Sequence, residues 1–186
     1  FDTWTGISLP WWVCTIALML VVQVFGWLQI EVGAKLLLVL MGLEWGVMLL
    51  LATVIAFNGG AGHGYATGDV FNLSGVATAG FSIAVVFGFA SMFGFESSAI
   101  YGEEVRDPRR SVARATYASV LSITGFFLFT GWMLTVAYGP DKAIDAAGKA
   151  LESGNPAAYV FDAAGTYLGA WAPGLMGIFV ITSIFA

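Results

Sequence analysis

Cysteine and histidine are almost absent from this chain. The single cysteine, Cys14, excludes a disulfide framework within the chain, and the single histidine, His63, excludes a zinc cluster built from its residues. The sequence therefore predicts no metal site and no cofactor. It also offers no catalytic nucleophile–base pair, because His63 lies in a glycine-rich loop and Cys14 lies alone in an apolar run. A membrane-embedded hydrolase is excluded on the same ground.

Charged side chains are few and lie mostly in predicted loops. The chain carries 7 basic and 12 acidic groups, which gives a formal net charge of −5. All the arginines fall in one short segment between Arg106 and Arg114. Nucleic-acid binding needs a basic surface spread along one face of a protein, so the sequence predicts no nucleic-acid partner.

Apolar residues make up 59% of the 186 residues and stand in long blocks, which is typical of a protein embedded in a lipid bilayer. A hydrocarbon core of roughly 30 Å is crossed by about 20 helical residues. By this measure we predict one transmembrane domain with spans at about residues 10–28, 33–57, 76–101, 113–138 and 170–186. The chain opens without an initiator methionine and stops within an apolar run, so we expect a longer membrane protein.

The arginines predict which side of the membrane each loop occupies. They belong to, or border, the loop at about residues 102–112 between the third and fourth spans. Positive charge is enriched in cytoplasmic loops, so this loop should be cytoplasmic. The connection at about residues 139–169 should then lie outside. Its alanine-rich, weakly amphipathic sequence predicts short helices on the membrane surface or over the bundle.

The arginine segment also contains a helix start. Asp107 is a good N-cap and Pro108 a good first helical residue, so the fourth span should begin in the interface at Pro108. Positive charge is unfavourable near a helix N-terminus, so helix stability does not explain the arginines. Topology or a cytoplasmic gate is one interpretation, and a solvated helix end is the other. The residues concerned are Glu104, Arg106, Arg109 and Arg110.

Glu44 lies near the middle of the second span, between Gly42 and Gly46. An ionisable side chain in a span is costly and by default faces the bundle interior or a wet cavity. The two glycines would let a neighbouring helix approach closely. Glu44 is interpreted either as a proton-accepting group, because burial disfavours the charged carboxylate, or as a neutral acid that hydrogen-bonds across helices.

Small and polar residues interrupt the third span around Gly94 and Glu96. One interpretation is a broken helix, which in secondary transporters exposes backbone carbonyls and half-helix ends to a substrate at the membrane midplane. The other is that the glycines permit close helix packing and that Glu96 satisfies loose backbone donors. The residues alone leave both interpretations open.

Two hydroxyl residues, Thr182 and Ser183, lie in the apolar run of the fifth span. Hydroxyl groups in a membrane helix either line an ion or substrate site or donate a hydrogen bond back to their own helix. Both interpretations stay open from the sequence.

The residues around Glu96 resemble a motif of the amino acid–polyamine–organocation (APC) superfamily of permeases. The sixth helix of that superfamily looks like F-x-G-x-E-S-A, and a cytoplasmic run like E-x-x-D/N-P-x-R-x-x-P-x-A follows it. This chain has FGFESS at residues 93–98 and EVRDPRRSVARA at residues 104–115. Ala113 stands where many members carry a proline.

The resemblance implies an all-α integral membrane protein with a leucine-transporter-like fold. That fold is a five-plus-five inverted repeat in a bundle of about twelve helices. The five spans would correspond to helices four to eight, and helices one to three and nine to twelve would come from the rest of the same protein. The fragment alone would not transport.

The resemblance also implies roles for particular residues. Backbone carbonyls near Ala90 and Phe93, beside Gly94, would hold the ammonium group of the substrate, and Phe89 or Phe93 would close over it. Glu96 would serve in coupling or hold the break together. Glu44 stands where certain proton-coupled members have a lysine, so a lysine-based coupling mechanism would not apply.

The function implied by the resemblance is secondary active transport, not an enzymatic reaction. The substrate would be an amino acid or a related small amine, and the driving ion would be the proton, with Na+ as the alternative. The protein would reside in the bilayer of the plasma membrane. A different class of function also stays open, namely a non-transporting subunit of the same fold that senses a ligand or serves a partner.

Overall fold

The computed structural model describes residues 30–59, 64–71, 79–94 and 107–183, together with single positions between 10 and 23 and at 100 and 102. None of these residues lies in a β-strand, which confirms the all-α class. The helices are α1 (Ile30–Phe57), α2 (Thr67–Val70), α3 (Ala79–Ala90), α4 (Pro108–Tyr138), α5 (Pro140–Glu152), α6 (Ala158–Tyr167) and α7 (Trp171–Ser183).

The start of α4 is the one that the sequence predicts. Asp107 is the N-cap, and its carboxylate accepts a hydrogen bond from the backbone N–H of Arg110 at 3.4 Å. Pro108 is the first helical residue, where its missing N–H costs nothing. The helix runs for 31 residues. At about 1.5 Å per residue it is longer than the roughly 30 Å of a hydrocarbon core.

Two short helices follow α4, as the alanine-rich connection predicts. Gly139 separates α4 from α5 with a φ of +83°, a conformation that glycine adopts without strain. We call residues 139–169, with α5 and α6, the helical loop. Ala143 and Ala150 lie seven residues apart on one face of α5, and both are buried. The small alanine side chains allow the helical loop to pack closely against α4.

The residues of the chain group into two compact units. One unit comprises Phe1–Val47 with Pro173–Ala186, and the other comprises Met48–Ala172. In the second unit the largest fully buried side chains come from the ends of α1 and α4. These side chains are Leu51, Ile55, Met133 and Val136.

Two of the described helices are long and apolar enough to cross a membrane, namely Leu38–Phe57 in α1 and Pro108–Tyr138 in α4. Phe81–Ala90 in α3 and Trp171–Val180 in α7 are apolar but shorter. The first predicted span, at about residues 10–28, lies largely outside the described residues. The five spans and their boundaries stay predictions.

Candidate functional site

α3 ends within the apolar segment that the sequence predicts as the third span. Its last residue is Ala90, and residues 91–94 form a turn. The backbone N–H of Met92 donates to the Phe89 carbonyl at 3.0 Å, and that of Phe93 donates to the Ala90 carbonyl at 3.3 Å. These bonds span three residues instead of four, so the chain tightens as it leaves the helix.

Gly94 ends this turn with a φ of +107°. Residues with a Cβ rarely adopt that angle, so the turn requires glycine for conformational reasons. A Cβ built on Gly94 would meet no atom within 4 Å, so space around the residue is not the reason. The Phe87 carbonyl accepts two hydrogen bonds from Ser91, one from its backbone N–H at 2.9 Å and one from its hydroxyl at 2.8 Å.

The predicted substrate-binding residues lie together at this turn. Phe89 is 74% exposed and Phe93 is 79% exposed, and Ala90 and Gly94 are also exposed. From the described residues, the carbonyls of Phe89 and Ala90 each accept one backbone hydrogen bond, and a carbonyl oxygen has two lone pairs. The turn therefore presents carbonyl acceptors beside two aromatic rings, which is a chemistry suited to an ammonium group.

Glu44 lies on α1 and is half-buried. The flanking Gly42 and Gly46 are exposed, and a Cβ built on either would meet no atom within 4 Å. The close helix neighbour that this glycine pair predicts is thus not supplied by the described residues. Whether Glu44 takes part in coupling stays a prediction.

The arginines at the start of α4 are exposed. The guanidinium Nε of Arg110 lies 3.9 Å from Oδ2 of Asp107, and both side chains are open to solvent. An ion pair of this kind contributes little to stability. Arg109 and Arg114 are exposed on the same helix. A cytoplasmic gate built from these residues stays a prediction.

Three of the predicted site residues, Glu96, Glu104 and Arg106, lie outside the described residues. The backbone of Thr182 and Ser183 lies at the end of α7, and their side chains lie outside what the structure describes.

A tyrosine cluster, which the sequence does not predict, joins the helical loop to the end of α4. The rings of Tyr138 and Tyr159 stack with centroids 4.6 Å apart and an interplanar angle of 16°. The hydroxyl of Tyr138 donates to the Tyr159 carbonyl, and that of Tyr167 donates to the Ala137 carbonyl at 3.2 Å. In the sequence, Tyr138 directly precedes the helical loop, and Tyr159 and Tyr167 lie in its last part. This placement of tyrosines at both ends of the loop could have indicated the cluster.

Burial is the main cause that raises the pKa of Tyr159 to about 12, and the neighbouring Tyr138 adds to the effect. Burial also raises the pKa of Tyr167. Both phenols therefore remain neutral hydrogen-bond donors at physiological pH.

A second group of aromatic contacts joins the loop after α1 to Trp132 in α4. The indole Nε1 of Trp132 donates to the Tyr65 carbonyl at 2.9 Å, and the hydroxyl of Tyr65 donates to the Ala56 carbonyl at 3.1 Å. The ring of Phe71 meets Trp132 edge-on, with centroids 5.2 Å apart. These contacts connect the end of α1, the loop and α4.

The family of the chain follows from its match to a known family of proteins. Residues 2–185 match the sequence profile of amino acid permeases. The chain belongs to the amino acid permease family. This agrees with the APC resemblance drawn from the residues around Glu96. No curated protein and no solved structure matches the chain.

Membership in this family gives the coarse function. A permease is a membrane protein that transports amino acids, and it is a transporter and not an enzyme. Among the residues that the structure describes, two helices are long and apolar enough to cross a membrane, which agrees with that description.

Proposed function

We propose that this permease chain supplies helices four to eight of a secondary active transporter for an amino acid or related small amine. The complete protein would have the leucine-transporter-like five-plus-five inverted repeat and would reside in the plasma membrane. The observation that carries the proposal is the end of α3 at Ala90, within an apolar segment, followed by a turn that needs glycine at position 94. Interrupted helices of this kind form substrate sites in secondary transporters.

The end of α3 has the polarity that an ammonium group requires. A helix C-terminus carries a partial negative charge, because its last carbonyls have no partner within the helix. The carbonyls of Phe89 and Ala90 belong to this end, and their remaining lone pairs would accept hydrogen bonds from the substrate. The exposed rings of Phe89 and Phe93 would cover the bound amine and exclude water.

Alternating access would follow from the interruption. Two half-helices joined by a turn can tilt independently, and such a hinge absorbs the rotation at a few residues. Gly94 sits where the backbone leaves α3, so it is the residue that we assign to this hinge. Tilting on either side of it would open the substrate site to one face of the membrane at a time.

Coupling is assigned to the carboxylic acids of Glu96 and Glu44. A charged carboxylate is costly in hydrocarbon, so a glutamate side chain that is enclosed when the site closes favours its neutral, protonated form. Proton uptake would therefore accompany one direction of the conformational change and proton release the other. Na+ is the alternative driving ion, and it would be held by the same oxygen atoms together with Thr182 and Ser183.

The test is uptake of radiolabelled amino acids by liposomes that contain the complete permease. We expect uptake driven by an inwardly directed proton gradient and abolished in Glu96→Gln, with both proteins present at similar levels. Uptake that follows a Na+ gradient alone would replace the proton by Na+. Ligand binding without uptake under either gradient would contradict transport and favour a ligand-sensing or partner subunit.

A further inference from the structure

A cavity of about 250 Å³ lies between the end of α4 and the two helices of the helical loop. It is separate from the turn at residues 91–94 and has both polar and apolar walls. The side chains that line it are those of Tyr138, Lys149, Ser153, Tyr159 and Asp162, with Ala146, Ala150 and Ala158.

The cavity holds one positive and one negative side chain that do not neutralise each other. Lys149 and Asp162 both line it, yet neither forms an ion pair within 4.0 Å with any residue that the structure describes. Lys149 belongs to the last turn of α5, where a positive charge also stabilises the helix end. This stabilisation of the end of α5 does not depend on the carboxylate of Asp162. Both side chains are also exposed, so a ligand can reach both charged groups from water.

The start of α6 brings Asp162 to the same cavity. The backbone N–H groups of Ala158 and Val160 already donate to the carbonyls of Asn155 and Ala157, so Lys149 is the group that attracts a negative charge. Asp162 lies four residues after Ala158, the first residue of α6, which is about 6 Å at 1.5 Å per residue. The cavity thus has a site for a carboxylate at one end and for an ammonium group at the other.

The tyrosines complete the wall of the cavity. Tyr138 and Tyr159 stack, so their rings are held in a fixed orientation. Aromatic faces attract ammonium groups and also cover small apolar side chains. The volume of the cavity is smaller than that of the usual pocket for a drug-sized molecule, so it suits a small ligand.

We propose that this cavity is a second ligand site, which binds a small zwitterionic amino acid. The ligand carboxylate lies at the ammonium group of Lys149, and the ligand ammonium group lies between Asp162 and the tyrosine rings. The site goes beyond the proposed transport step, since none of its residues belongs to the turn at residues 91–94.

The test uses a thiol placed in the cavity of the complete permease. In a background from which Cys14 and any other cysteine of the complete permease have been removed, Ser153→Cys introduces one thiol into the cavity wall. L-alanine should slow its reaction with a maleimide. Ala146→Cys provides a second position in case the first variant folds poorly. Ethylamine and propionate each carry only one of the two charges. We therefore expect the concentration of either compound that gives half-protection to be at least about ten times that of L-alanine.

Charge variants identify the residues responsible. Lys149→Gln and Asp162→Asn should each raise the L-alanine concentration for half-protection by about tenfold or more. The matched controls, Lys142→Gln and Asp145→Asn, change exposed charges of α5 that do not line the cavity, and they should leave protection unchanged.

Failure of this site is distinguishable from failure of the transport mechanism. Protection should persist in Gly94→Ala, because that substitution disturbs only the turn after α3. Absence of protection by L-alanine, equal protection by ethylamine, or loss of protection in Gly94→Ala would each overturn the proposal. Unchanged protection in both Lys149→Gln and Asp162→Asn would overturn it as well.

Discussion

The helical loop and α3 differ in how much of their surroundings the described residues supply. The helical loop buries alanines from both of its helices and is joined to α4 by the cluster of Tyr138, Tyr159 and Tyr167. In α3, every residue from 81 to 90 is exposed, including large apolar side chains. The helical loop is therefore stabilised by local contacts. α3 relies on lipid or on other helices to cover its apolar surface.

This difference fits the functions that we assign. A segment that must change its tilt during transport gains from having few contacts that would be broken by the movement. A loop that must hold its shape beside a ligand gains from stacked rings and satisfied hydrogen bonds. The predictions below change one region at a time and ask whether the other responds.

The largest effect on stability is expected from Tyr138→Ala. This change removes the ring that stacks on Tyr159 and leaves a gap between α4 and the helical loop. Truncation of a buried aromatic ring costs about 3–5 kcal/mol, and for the half-buried Tyr138 we expect about 2–3 kcal/mol. Thermal unfolding of the permease in detergent measures the change.

Tyr117→Ala is the matched control, because Tyr117 lies on the same helix and is 72% exposed. It should change the melting temperature much less. Equal losses in the two variants would mean that the tyrosine cluster does not hold the helical loop in place.

The next largest effect is expected from Gly94→Ala. This substitution should lower transport and leave the helical loop unchanged. Placing a Cβ at a φ of +107° costs about 1–3 kcal/mol of backbone strain, although no atom lies close enough to clash. We expect uptake of the amino acid to fall about tenfold. Initial rates in liposomes measure it.

Gly88→Ala provides the comparison, since Gly88 lies within α3 and also has open space around its Cα. Alanine favours helix by about 1 kcal/mol over glycine there, so transport should stay near that of the unmodified permease. A similar loss of uptake in both variants would argue against a special role for the turn.

A smaller change is expected from Trp132→Phe. The substitution keeps an aromatic ring against Phe71 but removes the hydrogen bond to the Tyr65 carbonyl, a loss of about 1 kcal/mol. Amide hydrogen exchange in residues 64–71 should quicken by roughly fivefold while α3 is unaffected. Trp171→Phe, at a 54% exposed tryptophan, should leave this exchange unchanged.

The mildest perturbation is a change of pH at the tyrosine cluster. The pKa of Tyr159 is about 12 in the folded protein and about 10 in the unfolded chain. The neutral phenol therefore contributes its full stabilisation of the fold below about pH 10. That contribution is lost as the pH rises from about 10 to about 12. The melting temperature should fall across this window, and the fall should be smaller in Tyr159→Phe. An equal fall in Tyr159→Phe would assign it to other groups, and Tyr117→Phe is the control.

Local sequence signals predicted the local features well. The pair Asp107-Pro108 predicts the start of α4, because an N-cap and a first-turn proline act within three residues. The alanine-rich sequence of the helical loop likewise predicts α5 and α6. Gly94 has a positive φ, which is a local reason for a glycine at this position, and its role in a substrate site stays a prediction.

Features that depend on the path of the chain were not predictable. The stack of Tyr138 on Tyr159 joins residues 21 apart, and it exists only because Gly139 turns the chain back onto α4. The cavity between α5, α6 and α4 depends on the same path. The helix neighbour predicted beside Gly42 and Gly46 would have to come from outside the described residues.

Substrate protection of the turn after α3 tests the central claim most directly. In a background from which Cys14 and any other cysteine of the complete permease have been removed, Phe93→Cys places a thiol at the proposed substrate site. Phe81→Cys places one in α3, nine residues before the end of that helix. A transported amino acid should slow the reaction of a water-soluble thiol reagent at position 93 several-fold and leave position 81 unchanged. Equal reaction rates at position 93 with and without the amino acid would contradict a substrate site at this turn.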